Sequence, residues 1–226
     1  MEPGGELLVP FAGPTFVNQW TLGAYMGDAI MRHPSFRLMP LPLIGSVSVT
    51  TSAARYAAFV RKQVEPGQPY VAAGQSQGGI VAALHAVTDP CARHVVMIGS
   101  PLHGAWLSKL LLAFPSAREL LGGSRLLTGL REAILAQPDR FTSVFCPMEL
   151  VMDSASPFLP GITNILVGSA DQHEHFDAVH PGLELSERVV SALPVNHTSA
   201  MRNPEFRQVL WRIISREATA VGLAFT

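Results

Sequence analysis

The chain has 226 residues, of which 48% are hydrophobic and 15% charged, enough apolar material for a sizeable core and too much for a disordered chain. Its formal net charge is −1, so no basic surplus favours nucleic acid. Its two cysteines, Cys91 and Cys146, make neither a disulfide framework nor a metal-ligand spacing.

In chain order, short apolar runs alternate with helical patterns. The run at 7–10 (LLVP) reads as a buried strand and 36–40 as a weaker one. A first helix is placed at 18–31 and a second at 52–64. Residues 70–73 (YVAA) form a short strand, followed by a helix over 77–87 with Ile80, Val81, Leu84 and Val87 on one face. Further strands are read at 94–99 (HVVMIG), 164–168 (NILVG) and 188–193 (RVVSAL). The last helix keeps Phe206, Val209, Leu210, Ile213 and Ile214 on one face, with Asn203 as its cap and Pro204 in its first position. Such alternation gives an α/β fold with a mostly parallel sheet covered by helices on both faces. The whole chain, 1–226, reads as one domain.

Residues 106–141 break the alternation. They are rich in leucine and read as two or three short helices inserted at about 105–140. They act either as a lid at a lipid surface or as ordinary core-facing helices. Met97, Met148, Met152, Phe158 and Trp106 are candidates for an acyl pocket beside it, although most such residues are core.

Between the strand at 70–73 and its helix stands Gly74-Gln75-Ser76-Gln77-Gly78, a match to G-x-S-x-G in the strand-turn-helix context that this turn requires. A sharp reversal forces the serine into strained backbone angles, and the glycines leave room for it. The turn lifts Ser76 to the C-terminal edge of the sheet, at a helix N-terminus that favours a developing oxyanion. A serine hydroxyl needs a base and an orienting acid, which follow in the order acid, then histidine, each after a strand. Asp171 follows the strand at 164–168, and His197 follows the strand at 188–193. Asp153 and Asp177 are the runners-up for the acid. His33, His85 and His94 fall in or before core elements, His173, His175 and His180 follow Asp171 too closely, and His103 lies in a loop near the active edge. One oxyanion donor is the N–H of Gln77. The other comes from Phe11 or Ala12 in the loop after the first strand, because Pro14 has no N–H.

With those residues in place, the chain resembles the small bacterial lipase/esterase branch of the α/β-hydrolase superfamily. The similarity runs through "VPFAGPTFVNQW", "SAARYAAFVRKQV", "VVMIGSPLHGAW", "SASPFLPGITNILVGSADQ" and "VNHTSAMRNPEF", most of the chain outside the leucine-rich insertion. The resemblance implies Ser76 as nucleophile, Asp171 as acid, His197 as base and Gln77 as an oxyanion donor, in hydrolysis of carboxylic esters through an acyl-enzyme. It implies no cofactor and no metal, and a small ester or lipid as substrate. The usual His-Gly of the oxyanion loop is absent, and the turn reads GQSQGG where GHSMGG is commoner. A Ser-Gln-Gly turn also resembles cutinases and phage mycolyl esterases. An acyltransferase or thioesterase of the same fold, or a non-catalytic ligand-binding relative, are the other readings.

The segment "DQHEHFDAVH" reads as a solvated loop or substrate-entry rim, with His-x-His as a weaker metal reading. The N-terminus shows no signal peptide and the chain no membrane-spanning run, which makes the cytoplasm the default location and secretion the alternative if a leader was removed. Transient lipid contact through the insertion, and a monomer or weak homo-oligomer, complete the expectations.

Overall fold

The computed structural model describes residues 7–15, 36–43, 47–148 and 151–220. The helix expected at 18–31, and His33, lie outside the described residues. Seven strands form one sheet: β1 (Leu7–Thr15), β2 (Phe36–Leu43), β3 (Tyr70–Gln75), β4 (Ala92–Ile98), β5 (Phe141–Phe145), β6 (Thr163–Gly168) and β7 (Glu187–Val190). Their order is β2-β1-β3-β4-β5-β6-β7, and every neighbouring pair is parallel. All their C-terminal ends therefore share one edge, and β3 sits inside the sheet.

The helices are α1 (Val49–Gln63), α2 (Gln77–Ala86), α3 (Pro115–Glu119), α4 (Arg125–Leu135), α5 (Ala170–Val179) and α6 (Pro204–Ala220). Alternate residues of each strand feed two cores, as the two-residue period dictates. Val9, Phe11, Val71, Ala73, Val96 and Ile98 pack beneath Phe206, Leu210 and Ile214 of α6. Leu8, Tyr70, Ala72, Val95 and Met97 face the opposite side, under α1, α2 and α4. A smaller cluster of Phe145, Phe158, Leu166 and Phe176 seats α5. The α6 cap is as expected: Phe206 N–H donates to Asn203 Oδ1 at 2.8 Å.

Three expectations are corrected. β5 was hidden because its sequence, FTSVF, carries two hydroxyls in its middle. Both are buried and bonded, Thr142 Oγ1 to His94 Nε2 at 2.9 Å and Ser143 Oγ to the Pro157 carbonyl at 2.8 Å. The segment read as a loop after Asp171 is helix α5. Ser169-Ala170-Asp171-Gln172 has the S-x-x-Q pattern of a capping box, and Ser169 N–H donates to Gln172 Oε1 at 3.0 Å. Finally, β1 runs on to Thr15, so Phe11 and Ala12 are strand residues. Phe11 is aligned with Pro40 and Ala73, and Ala12 with Leu41 and Gly74. They are apolar and buried, and neighbours on both flanks extend the ladder past the expected end.

The inserted segment divides in two. In α4, Leu127, Leu130 and Ile134 are buried in the core over the sheet. The 3-10 turn at Trp106–Leu110 and the residues after it leave Trp106, Leu110, Leu112 and Phe114 exposed, Leu110 by 72%. Glu119, at the end of α3, anchors the segment by accepting from Val49 N–H and from Thr50 Oγ1 at the start of α1.

Candidate active site

Ser76 links β3 to α2 and is the N-cap of that helix. Its φ of 56° and ψ of −127° make it the one non-glycine residue at positive φ among the described residues. Such a conformation costs on the order of 1–3 kcal/mol and persists only where the surroundings impose it. Here they do. Ser76 N–H donates to the Ile98 carbonyl of β4 at 2.8 Å, and Gly79 N–H donates to the Ser76 carbonyl at 3.1 Å. A Cβ on Gly74 would overlap the Gly78 carbonyl, one on Gly78 the Ala12 carbonyl, and one on Gly79 the Ser100 hydroxyl. Each glycine is thus required by close approach rather than by its own backbone angles. Ser76 is half-buried at the edge, while Gln75 and Gln77 on either side are buried.

His197 reaches the same edge by a return path. After β7 the chain runs back across the ends of β6 and β5. Asn196 forms an isolated parallel bridge with Met148, and His197 N–H donates to the Met148 carbonyl at 3.3 Å. The carbonyl of His197 accepts from Gln75 Nε2 at 2.8 Å. Serine turn and histidine loop are therefore in direct contact through the residue preceding Ser76.

A second clamp supports this loop. Gln172 is buried, accepts from Val195 N–H at 2.8 Å and donates to the Val195 carbonyl at 2.9 Å. The same Oε1 accepts from Ser169 N–H. One amide thus joins the turn after β6 to the turn that carries His197, and Gly168 leaves the space for it.

Among solved structures, the mature lipase BlEst2 of Bacillus licheniformis superposes with a TM-score of 0.66 at 13% identity, over 94% of this chain and 93% of that one. The monoacylglycerol lipase of Paleococcus ferrophilus gives 0.52 at 12%, over 96% of each chain. Phospholipase PlaB of Legionella pneumophila gives 0.59 at 14%, over 95% of this chain and 60% of that one. The chain has the α/β-hydrolase fold. No protein-family model matches it, and no curated protein sequence does.

Within this hydrolase fold the remaining candidates fall as follows. Asp171 lies in the first turn of α5 and is exposed. Its sequence neighbour Gln172 touches the histidine loop at Val195. The two alternative acids have other partners: Asp153 lies 3.6 Å from His180 and Asp177 2.7 Å from Arg188. His85 packs between Tyr56 and Tyr70, 3.3 Å from Asp89, and His94 is buried against Thr142. Burial pushes the imidazoles of His85, His94 and His103 below the usual histidine range.

His173 is buried with Nε2 3.2 Å from the Val189 carbonyl, whereas His175, two positions along the helix, is exposed. That separation defeats the His-x-His metal reading. Among the described residues no group of three or more His, Cys, Asp or Glu could hold a metal ion. Of the suggested acyl-pocket residues, Met97, Met152 and Phe158 are core, and Met148 and Trp106 are exposed. Gln75 and Gln172 escaped the sequence reading. The signals for them were an amide at the end of a wholly buried strand and the capping-box pattern.

Proposed function

We propose that this chain is a serine hydrolase that cleaves carboxylic esters through an acyl-enzyme. The observation that carries the reading is Ser76 held at positive φ between β3 and α2 by three glycines that admit no Cβ. In the reaction, His197 takes the Ser76 proton as the serine oxygen attacks the ester carbonyl. The N–H of Gln77, in the first turn of α2, faces the developing oxyanion. The second donor is Ala12 rather than Phe11. The Ala12 carbonyl abuts Gly78, and the β1 register shifts between Ala12 and Thr15, where the backbone leaves the regular ladder. Collapse of the tetrahedral intermediate returns the proton to the departing alcohol. Water, activated by His197, then releases the acid. Asp171 is the orienting acid in this scheme, supported by its place one residue from the Gln172 clamp.

Lipid esters are the substrate class, in keeping with the lipases and phospholipase that share the fold. The exposed Trp106, Leu110, Leu112 and Phe114 then form the face that meets a lipid surface. Among the described residues no helix is long and apolar enough to cross a membrane. The test is hydrolysis of p-nitrophenyl esters from acetate to palmitate by wild type and S76A. Turnover that S76A abolishes supports the reading. Turnover that S76A retains, or none on any ester, overturns it. Activity confined to the shortest acyl chains overturns the lipid assignment alone.

A further inference from the structure

The geometry points to Gln75 as a positioning residue for the base. Gln75 ends β3, is 1% exposed, and directs its side chain along the sheet edge to the main chain of His197, 122 residues later. His197 is held at both main-chain groups, and the bond from Gln75 Nε2, at 2.8 Å, is much shorter than the 3.3 Å bond to Met148. The consequence is mechanical. The backbone of Ser76 is locked to β4 through Ile98, so the nucleophile is part of the rigid sheet. His197 stands on a loop that crosses the ends of β6 and β5, where small displacements are easy. By bonding the base's own carbonyl, the residue adjacent to the nucleophile fixes the base in the nucleophile's frame of reference. Gln172 and the Asn196 side chain, which accepts from Thr198 and Ser199 N–H, shape the rest of the loop but bond to its other residues. Gln75 ties it directly to the serine turn.

The inference rests on Ser76 and His197 being nucleophile and base. It is tested with Q75M, which keeps the length of the side chain and removes the donor, and Q75H, whose imidazole N–H has comparable reach. Steady-state kinetics on p-nitrophenyl butyrate and the rate of Ser76 phosphonylation by a fluorophosphonate are measured per folded molecule. Misplacement of a catalytic group by ~1 Å costs on the order of a hundredfold. Q75M is therefore expected to lose about 10–100-fold in kcat and in phosphonylation rate together. Its KM should stay within about threefold, and Q75H should recover most of the loss. Q75M within about twofold of wild-type kcat overturns the inference, as does a Q75H no better than Q75M. If Q75M does not fold, Q75A is read in its place. A wild-type protein that neither turns over ester nor reacts at Ser76 refutes the proposed function instead, a result separable from an active enzyme indifferent to residue 75.

Discussion

The Cα of Gly78 lies against the main-chain carbonyl of Ala12, with no room between them for a methyl group. This contact joins the first turn of α2 to the end of β1, and it brings the two proposed oxyanion donors to one place. G78A is expected to force the turn away from β1, at a cost of about 1–3 kcal/mol in stability and at least about a hundredfold in kcat. Gly129 is the control. It lies exposed in α4 with nothing near a Cβ, so G129A is expected to raise stability by about 0.5–1 kcal/mol and leave kcat unchanged. Urea titration and ester kinetics on both variants check the pair.

His94 supplies a pH-dependence for stability. Burial pushes its imidazole down to about 4, opposed in part by Glu217 at 3.9 Å. The unfolded chain binds this proton near pH 6.5, so between those values the unfolded state carries more protons than the folded one. The stabilisation is complete above pH 6.5 and is lost as pH falls toward 4. At about 1.4 kcal/mol per pKa unit the loss is on the order of 2–3 kcal/mol. Urea unfolding at pH 7 and pH 4.5 measures it, and H94Q is expected to show a visibly smaller drop between the two.

Much of this architecture was legible in the sequence because strands buried on both faces read as continuous apolar runs, as in Tyr70–Gln75 and Thr163–Gly168. The strand Phe141–Phe145 was masked by Thr142 and Ser143, whose burial is possible only through partners contributed by β4 and by the Pro157 turn. No local pattern reveals such partners. The serine turn was legible because its glycines answer to a local steric demand. The links between loops were not: Gln75 to His197 and Gln172 to Val195 join segments far apart in sequence. The end of β1 was misread for a related reason, since Phe11 and Ala12 extend the strand only because β2 and β3 flank them both.

The acid is open to a direct comparison. D171N is expected to lower kcat by about 10³–10⁴-fold with little change in KM, while D153N and D177N stay within about threefold of wild type. Kinetics on the three variants decide it. A full-activity D171N with a crippled D153N or D177N would transfer the role to that residue.

The two halves of the insertion should separate in their effects. The double variant L110S/L112S replaces exposed side chains, so its melting temperature and its turnover of soluble p-nitrophenyl butyrate are expected to match wild type. Its activity on emulsified triglyceride is expected to fall by about fivefold or more. L127A, in the buried half, is expected to lose about 2–5 kcal/mol in stability. Equal activity of L110S/L112S on emulsion and soluble ester would remove the lipid-surface role from this face.

The central claim is that Ser76 is the nucleophile, and the most direct measurement is the mass of its peptide after reaction with a fluorophosphonate. One adduct per chain is expected, on Ser76, formed at least about a hundredfold more slowly in H197A. An unmodified Ser76, or an adduct on another serine of the chain, would contradict it.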